Sequence, residues 1–138
     1  SSRYTLELGK GKIRNIGSKV TSVRNGLGVH WALDLLDNYK NKEIEIIDLN
    51  TLVPWDKELV FNSINKTGIV LLLSEDTLFN SYLGEISAVI NEEIFEHLDA
   101  PVIRVGSLDT PVPFAKNLEE GFQASYNLKD KLEYLLNY

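Results

Sequence analysis

The chain has 138 residues, 43% hydrophobic and 25% charged, with a formal net charge of −6 and neither cysteine nor methionine. That length supports one domain with its own core, and the composition excludes a disordered chain. Lack of cysteine excludes disulfides, thiolate catalysis and sulfur-based metal sites, and the acidic balance opposes nucleic acid or anionic membranes, which reward clustered Lys and Arg.

The periodicity switches between strand-like and helix-like several times. Lys10–Ile16 and Lys19–Arg24 are short strand candidates joined at Gly17-Ser18, a spacing that predicts an antiparallel hairpin. After Asn25-Gly26-Leu27-Gly28 a helix is expected over Val29–Tyr39, with Val29, Ala32, Leu33 and Leu36 as its apolar stripe. Glu43–Asp48 is an Ile-rich strand. Asp56 is placed to cap a helix reaching Lys66, with Val60 and Ile64 inward and Gly68 as the break. Ile69–Leu73 is an unbroken apolar run, the pattern of a strand covered on both faces.

A further helix is expected over Leu83–Leu98, with Ile86, Ile90, Ile94 and Leu98 four residues apart. Val102–Val105 is a strand that runs into a loop stiffened by Pro111 and Pro113, which fix φ and remove two backbone donors. Leu128–Leu136 closes the chain as a helix with Leu128, Leu132 and Leu135 aligned. This alternation predicts a single domain over residues 1–138. Its architecture is a three-layer α/β/α sandwich on a mostly parallel sheet of about five strands, one of them antiparallel. No apolar run reaches the ~18–20 residues a membrane span needs, and Ser1-Ser2-Arg3-Tyr4 lacks an apolar signal segment, so the cytoplasm is expected. Absence of a starting Met is what an excised domain would present.

Motifs that carry chemistry are sparse. Gly26-x-Gly28 sits where a dinucleotide fingerprint would, but Trp31 takes its third glycine position, and a plain glycine turn explains it better. Gly9-Lys-Gly-Lys12 lacks the spacing and the Ser or Thr of a phosphate loop. His30 and His97 are far apart and in no metal-ligand spacing. Glu75-Asp76, at the C-terminal edge of the buried strand, could serve acid–base work or merely cap a loop. Glu85 stands in a helix's first turn, where the dipole favours a carboxylate. Glu92, Glu93, Glu96 and Asp99 make an acidic helix end, either a solvated face or a docking patch for a basic partner. No nucleophile–base pair, metal cluster or cofactor loop is assigned.

Four segments occur in order: Val20-Thr-Ser-Val-Arg-Asn-Gly-Leu-Gly-Val-His-Trp-Ala-Leu33, Glu45-Ile-Ile-Asp-Leu-Asn-Thr-Leu-Val-Pro-Trp-Asp56, Lys66-Thr-Gly68, and Leu98-Asp-Ala-Pro-Val-Ile-Arg-Val followed by Asp109-Thr-Pro-Val-Pro-Phe114. Together they resemble the C-terminal, transketolase-C-type domain of the beta subunit of thiamine-diphosphate-dependent 2-oxoacid dehydrogenases, of the branched-chain (2-oxoisovalerate) or pyruvate type. The resemblance runs from about Gly9 to Leu136. It implies that thiamine diphosphate and magnesium lie in domains absent from this chain, and that this domain holds no cofactor, metal or catalytic residue of its own. Its implied role is assembly of the parent multimer and reception of the subunit-binding domain of the lipoyl acyltransferase core. Docking candidates are Glu92, Glu96, Asp99, Asp109, Pro111, Pro113 and Tyr138, the last expected to carry the C-terminal carboxylate. The chain departs from the family pattern after the buried strand. Ser74-Glu75 stands in place of His-Glu, and Asn80-Ser-Tyr-Leu-Gly-Glu85 in place of Gly-Gly-Phe-Gly-Ala-Glu, leaving Glu75 and Glu85 as loop candidates. Other enzymes sharing the domain, such as acetoin dehydrogenase or transketolase, are alternatives, as is a stand-alone flavodoxin-like binding module.

Overall fold

The computed structural model describes residues 9–25, 43–77, 81–107 and 128–138. The expected helix over Val29–Tyr39, the Gly26-x-Gly28 turn with His30 and Trp31, and the loop bearing Asp109, Pro111 and Pro113 lie outside these residues. The elements are β1 (Lys12–Asn15), β2 (Val20–Asn25), β3 (Ile44–Leu49), α1 (Lys57–Thr67), β4 (Val70–Thr77), α2 (Tyr82–Ile94) with a 3₁₀ turn at Phe95–His97, β5 (Ile103–Ser107) and a final helix α3 over 128–136. The five strands form one sheet in the order β1-β3-β2-β4-β5. The β2–β3, β2–β4 and β4–β5 pairs are parallel, and β1 runs antiparallel to β3. No helix of the described residues is long and apolar enough to cross a membrane.

Strand periodicity divides the core in two. Val70 and Leu72 point to one face of β4 and Leu71 and Leu73 to the other, all fully buried, so the strand needs cover on both sides. On one face Val60 and Ile64 of α1 and Ile86, Ile90 and Ile94 of α2 pack against Val23, Ile47, Val70 and Leu72. On the other, Leu128, Leu132 and Leu135 of α3 pack against Val20, Ile44, Ile46, Leu71, Leu73 and Val105. Burial of each such side chain contributes about 1.5–3 kcal/mol. The three-layer α/β/α sandwich follows directly.

The hairpin expectation is overturned. β1 is antiparallel, but its partner is β3, and β2 lies on β3's far side. Burial decides the matter. Val20, Thr21, Ser22 and Val23 are all buried, so β2 requires two covered faces and two neighbours, whereas Lys12, Ile13 and Arg14 are exposed as on an edge. The chain crosses the start of β3 at Gly17, whose absent side chain lets it pass: a Cβ there would lie 2.2 Å from the carbonyl carbon of Ile44.

α1 begins and ends where the sequence places it. Asp56 Oδ1 accepts from the Leu59 amide at 3.1 Å and its Oδ2 from the Gly11 amide at 2.9 Å, so one cap also ties down the entry to β1. Gly68 closes the helix in the left-handed region, φ 74°, its N–H donating to Ile64. The Leu83–Leu98 helix is shorter than expected. It ends at Ile94, and Leu98 is already extended (φ −88°, ψ 133°), because the Asp99 amide donates to the Gly68 carbonyl at 2.7 Å and draws the chain toward α1.

Candidate functional site

An open groove of about 770 Å³ runs along the outer side of α2 and β5. Gly84, Ser87 and Asn91 of α2 form one wall, Arg104 of β5 another, and Phe95, Asp99 and Tyr138 the rim. Phe95 is 63% and Tyr138 64% exposed, and Tyr138 meets Tyr134 edge-on at 5.6 Å between ring centres. The volume lies within the range of ligand clefts, but openness of this kind suits a protein segment better than an enclosed small molecule. The fold thus brings Asp99 and Tyr138, 39 positions apart in sequence, to one feature. Phe95 escaped the sequence reading because it counts as an ordinary position of an uninterrupted helix. Its exposure appears only once the helix stops at Ile94.

Glu92 and Glu96 are exposed at the same end of α2, and Glu93 pairs with Lys57 Nζ at 2.9 Å. No basic residue offsets them in the last turn of α2. Carboxylates at a helix C-terminus oppose the dipole, at a cost of about 0.3–1 kcal/mol each. Glu85 is exposed in the first turn of α2, where Ser81 occupies the N-cap without a side-chain cap bond. Glu75 and Asp76 lie within β4, which runs on to Thr77, rather than in a loop beyond it. Among the described residues no group of three or more His, Asp or Glu side chains could hold a metal ion. Gly9 and Gly11 do not form a phosphate cradle: their amides donate to Thr51 Oγ1 at 3.0 Å and to Asp56 Oδ2 at 2.9 Å, and a carboxylate already occupies that corner. That corner therefore does not fit a diphosphate–magnesium group.

Two charged clusters on the sheet were not legible in the sequence. At the N-terminal end of the strands Glu45, side chain 3% exposed, is bound by Lys66 Nζ and accepts from the Gly17 amide at 3.3 Å. Burial works to raise its carboxyl pKa, but hydrogen bonds from Lys66, Ser63 and the Gly17 amide, with the Lys66 charge, bring it below the usual glutamate value. Beside it Thr21 Oγ1 lies 2.6 Å from Ser63 Oγ and 2.7 Å from Thr67 Oγ1, a buried hydroxyl chain joining β2 to α1. At the C-terminal end Asp48 Oδ2 lies 3.5 Å from Arg24 Nη2 and 3.6 Å from Arg14 Nη2. Only the strand pairing brings these three residues together.

The family model described as "Transketolase, C-terminal domain" matches residues 9–127. The chain belongs to this family. Among its relatives are the 2-oxoisovalerate dehydrogenase subunit beta of Bacillus subtilis, 36% identical over 94% of this chain and 40% of that protein, and the pyruvate dehydrogenase E1 component subunit beta of Mycoplasma pneumoniae, 35% identical over 96% and 41%. The transketolase-C domain thus spans about two fifths of the length of these relatives. A solved structure described as "Split gene transketolase, inactive beta4 tetramer" superposes with a TM-score of 0.77 over 99% of this chain and 44% of that one, at 24% identity, and so shares its fold.

Proposed function

We propose that this transketolase-C domain is the assembly and docking part of the beta subunit of a 2-oxoacid dehydrogenase decarboxylase component, with 2-oxoisovalerate as the parent substrate. One observation carries the reading: the matches to the Bacillus subtilis and Mycoplasma pneumoniae beta subunits cover 94% and 96% of this chain and only about two fifths of theirs. Thiamine diphosphate and magnesium would then be held by neighbouring domains. There the cofactor supplies the carbanion chemistry of decarboxylation, and the acyl group passes to a lipoyl carrier. Glu92, Glu96, Asp99 and Tyr138 would face the subunit-binding domain of the acyltransferase core. Support comes from Glu92 and Glu96, exposed carboxylates at the end of α2 with no basic residue in its last turn, and from the aromatic-rimmed groove beside them. The isolated domain is expected to be inactive.

The test is binding of the acyltransferase subunit-binding domain by calorimetry to the whole beta subunit. Glu92→Lys with Glu96→Lys should weaken it at least about tenfold at low salt, and the difference should shrink as salt rises. Unchanged affinity at low salt removes the acidic end from the interface. Pyruvate is the second reading, on the 35% identity to the Mycoplasma pneumoniae subunit. The ratio of kcat/KM for the two 2-oxoacids on the whole enzyme decides between them.

A further inference from the structure

We propose that the C-terminal rim of the sheet, where Arg14 and Arg24 share the carboxylate of Asp48, binds a small oxyanion, a carboxylate or a phosphoryl group. Arg24 borders the crevice between the C-terminal ends of β2 and β4, where open α/β sheets take ligands, and Asp48 and Arg14 flank it from β3 and β1. β2 leads to β3 on one side, and β3 leads through α1 to β4 on the other, so the strand order reverses at β2. Arg24 is the penultimate residue of that strand.

The side chain of Arg24 is 11% exposed, and its guanidinium is under-used. Its contact to Asp48, at 3.5 Å, is at the limit of a hydrogen bond, and its Nε is buried without a partner. Nε–H and one Nη2–H lie along the same edge of the guanidinium, the edge that grips a carboxylate or phosphate with two parallel bonds. Asp48 does not satisfy that edge: its Oδ2 reaches Arg24 only through Nη2, at 3.5 Å, and also lies 3.6 Å from Arg14. Lys12 stands opposite Asp48 in the β1–β3 register, so a third basic residue shares this stretch of the sheet in a chain of net charge −6.

A second observation lies one pleat inward. Ser22 shares the Arg24 face of β2, is fully buried, and its Oγ has no partner. Buried polar side-chain atoms are nearly always bonded. Two unpaired ones in succession on one face continue the polar strip inward from the rim. Arg14, 45% exposed, gives access from solvent.

Arginine Nε–Hε resonances of the 138-residue chain, titrated with inorganic phosphate and separately with acetate at ionic strength held constant by chloride, test the assignment. One resonance, identified as Arg24 by its loss in Arg24→Lys, should shift saturably with at least one of the two anions. Phosphate alone would identify a phosphoryl site, acetate alone a carboxylate site, and both a general oxyanion site. Arg14→Gln, whose amide spectrum should show an intact fold, should raise the half-saturation concentration at least about tenfold. Absence of a saturable shift with either anion, an equal shift with chloride, or an unchanged half-saturation in Arg14→Gln overturns the proposal.

Discussion

At the N-terminal end of the parallel strands, Glu45 is almost wholly removed from water and bound by Lys66 and the Gly17 amide, with Ser63 lowering its pKa further. At the C-terminal end, on the other face, Arg24 is nearly as buried but reaches one shared carboxylate at 3.5 Å and leaves Nε unpaired. The first cluster is closed on itself and fixes β2, β3 and α1 together. The second has donors to spare. Burial of charge therefore serves structure at one end of the sheet and leaves binding capacity at the other. Substitutions should separate the two ends by their effect on stability.

The largest effect belongs to Gly17→Ala. A Cβ there would lie 2.2 Å from the Ile44 carbonyl carbon and 2.4 Å from the Glu45 nitrogen, both backbone atoms that cannot swing aside. Urea unfolding should record a loss of about 3 kcal/mol or more. A loss under 1 kcal/mol would mean that the crossover is not close-packed.

Lys66→Met comes next. It leaves the Glu45 carboxylate buried without its counter-charge, and the expected loss is about 2–3 kcal/mol, below the cost for a fully buried pair because Lys66 is 46% exposed. pH sharpens the point. The folded carboxyl titrates below its ordinary value of 4.5, so the folded state holds this proton less tightly than the unfolded chain. The stabilisation is complete above the unfolded value and is lost as pH falls through the lower folded one. Urea midpoints from pH 7 down to pH 3 should show that decline, and Glu45→Gln should flatten it. An unchanged profile in Glu45→Gln would assign the acid sensitivity elsewhere.

The smallest effect is expected for Arg14→Gln, within about 0.5 kcal/mol by urea unfolding, since Arg14 is exposed and its contact to Asp48 is long. A loss equal to that of Lys66→Met would make the C-terminal cluster as structural as the N-terminal one, and the contrast would fail.

Local signals made much of this fold legible. Asp56 and Gly68 bracket α1 because one accepts a first-turn amide and the other adopts a left-handed φ, and neither role depends on distant residues. The Val70–Leu73 run identifies a strand covered on both faces in the same way. The Gly17-Ser18 turn misled because hairpin spacing is also local, while the partner of β2 was chosen by two-sided burial, a property of the whole sheet. Arg14, Arg24 and Asp48 were invisible for a related reason: antiparallel pairing on one side of β3 and parallel pairing on the other are both needed to join them. Asp99 and Tyr138 were singled out separately, and only the packing around α2 sets them on one groove.

On the function proposed above, the reactive centre belongs to neighbouring thiamine-binding domains and this domain supplies framework and docking. Release of labelled carbon dioxide from 1-¹⁴C-2-oxoisovalerate, with thiamine diphosphate and magnesium present, tests it most directly. None above background is expected from the 138-residue chain alone, and release is expected once the whole beta subunit is assembled with its alpha partner. Turnover by the isolated chain would contradict it.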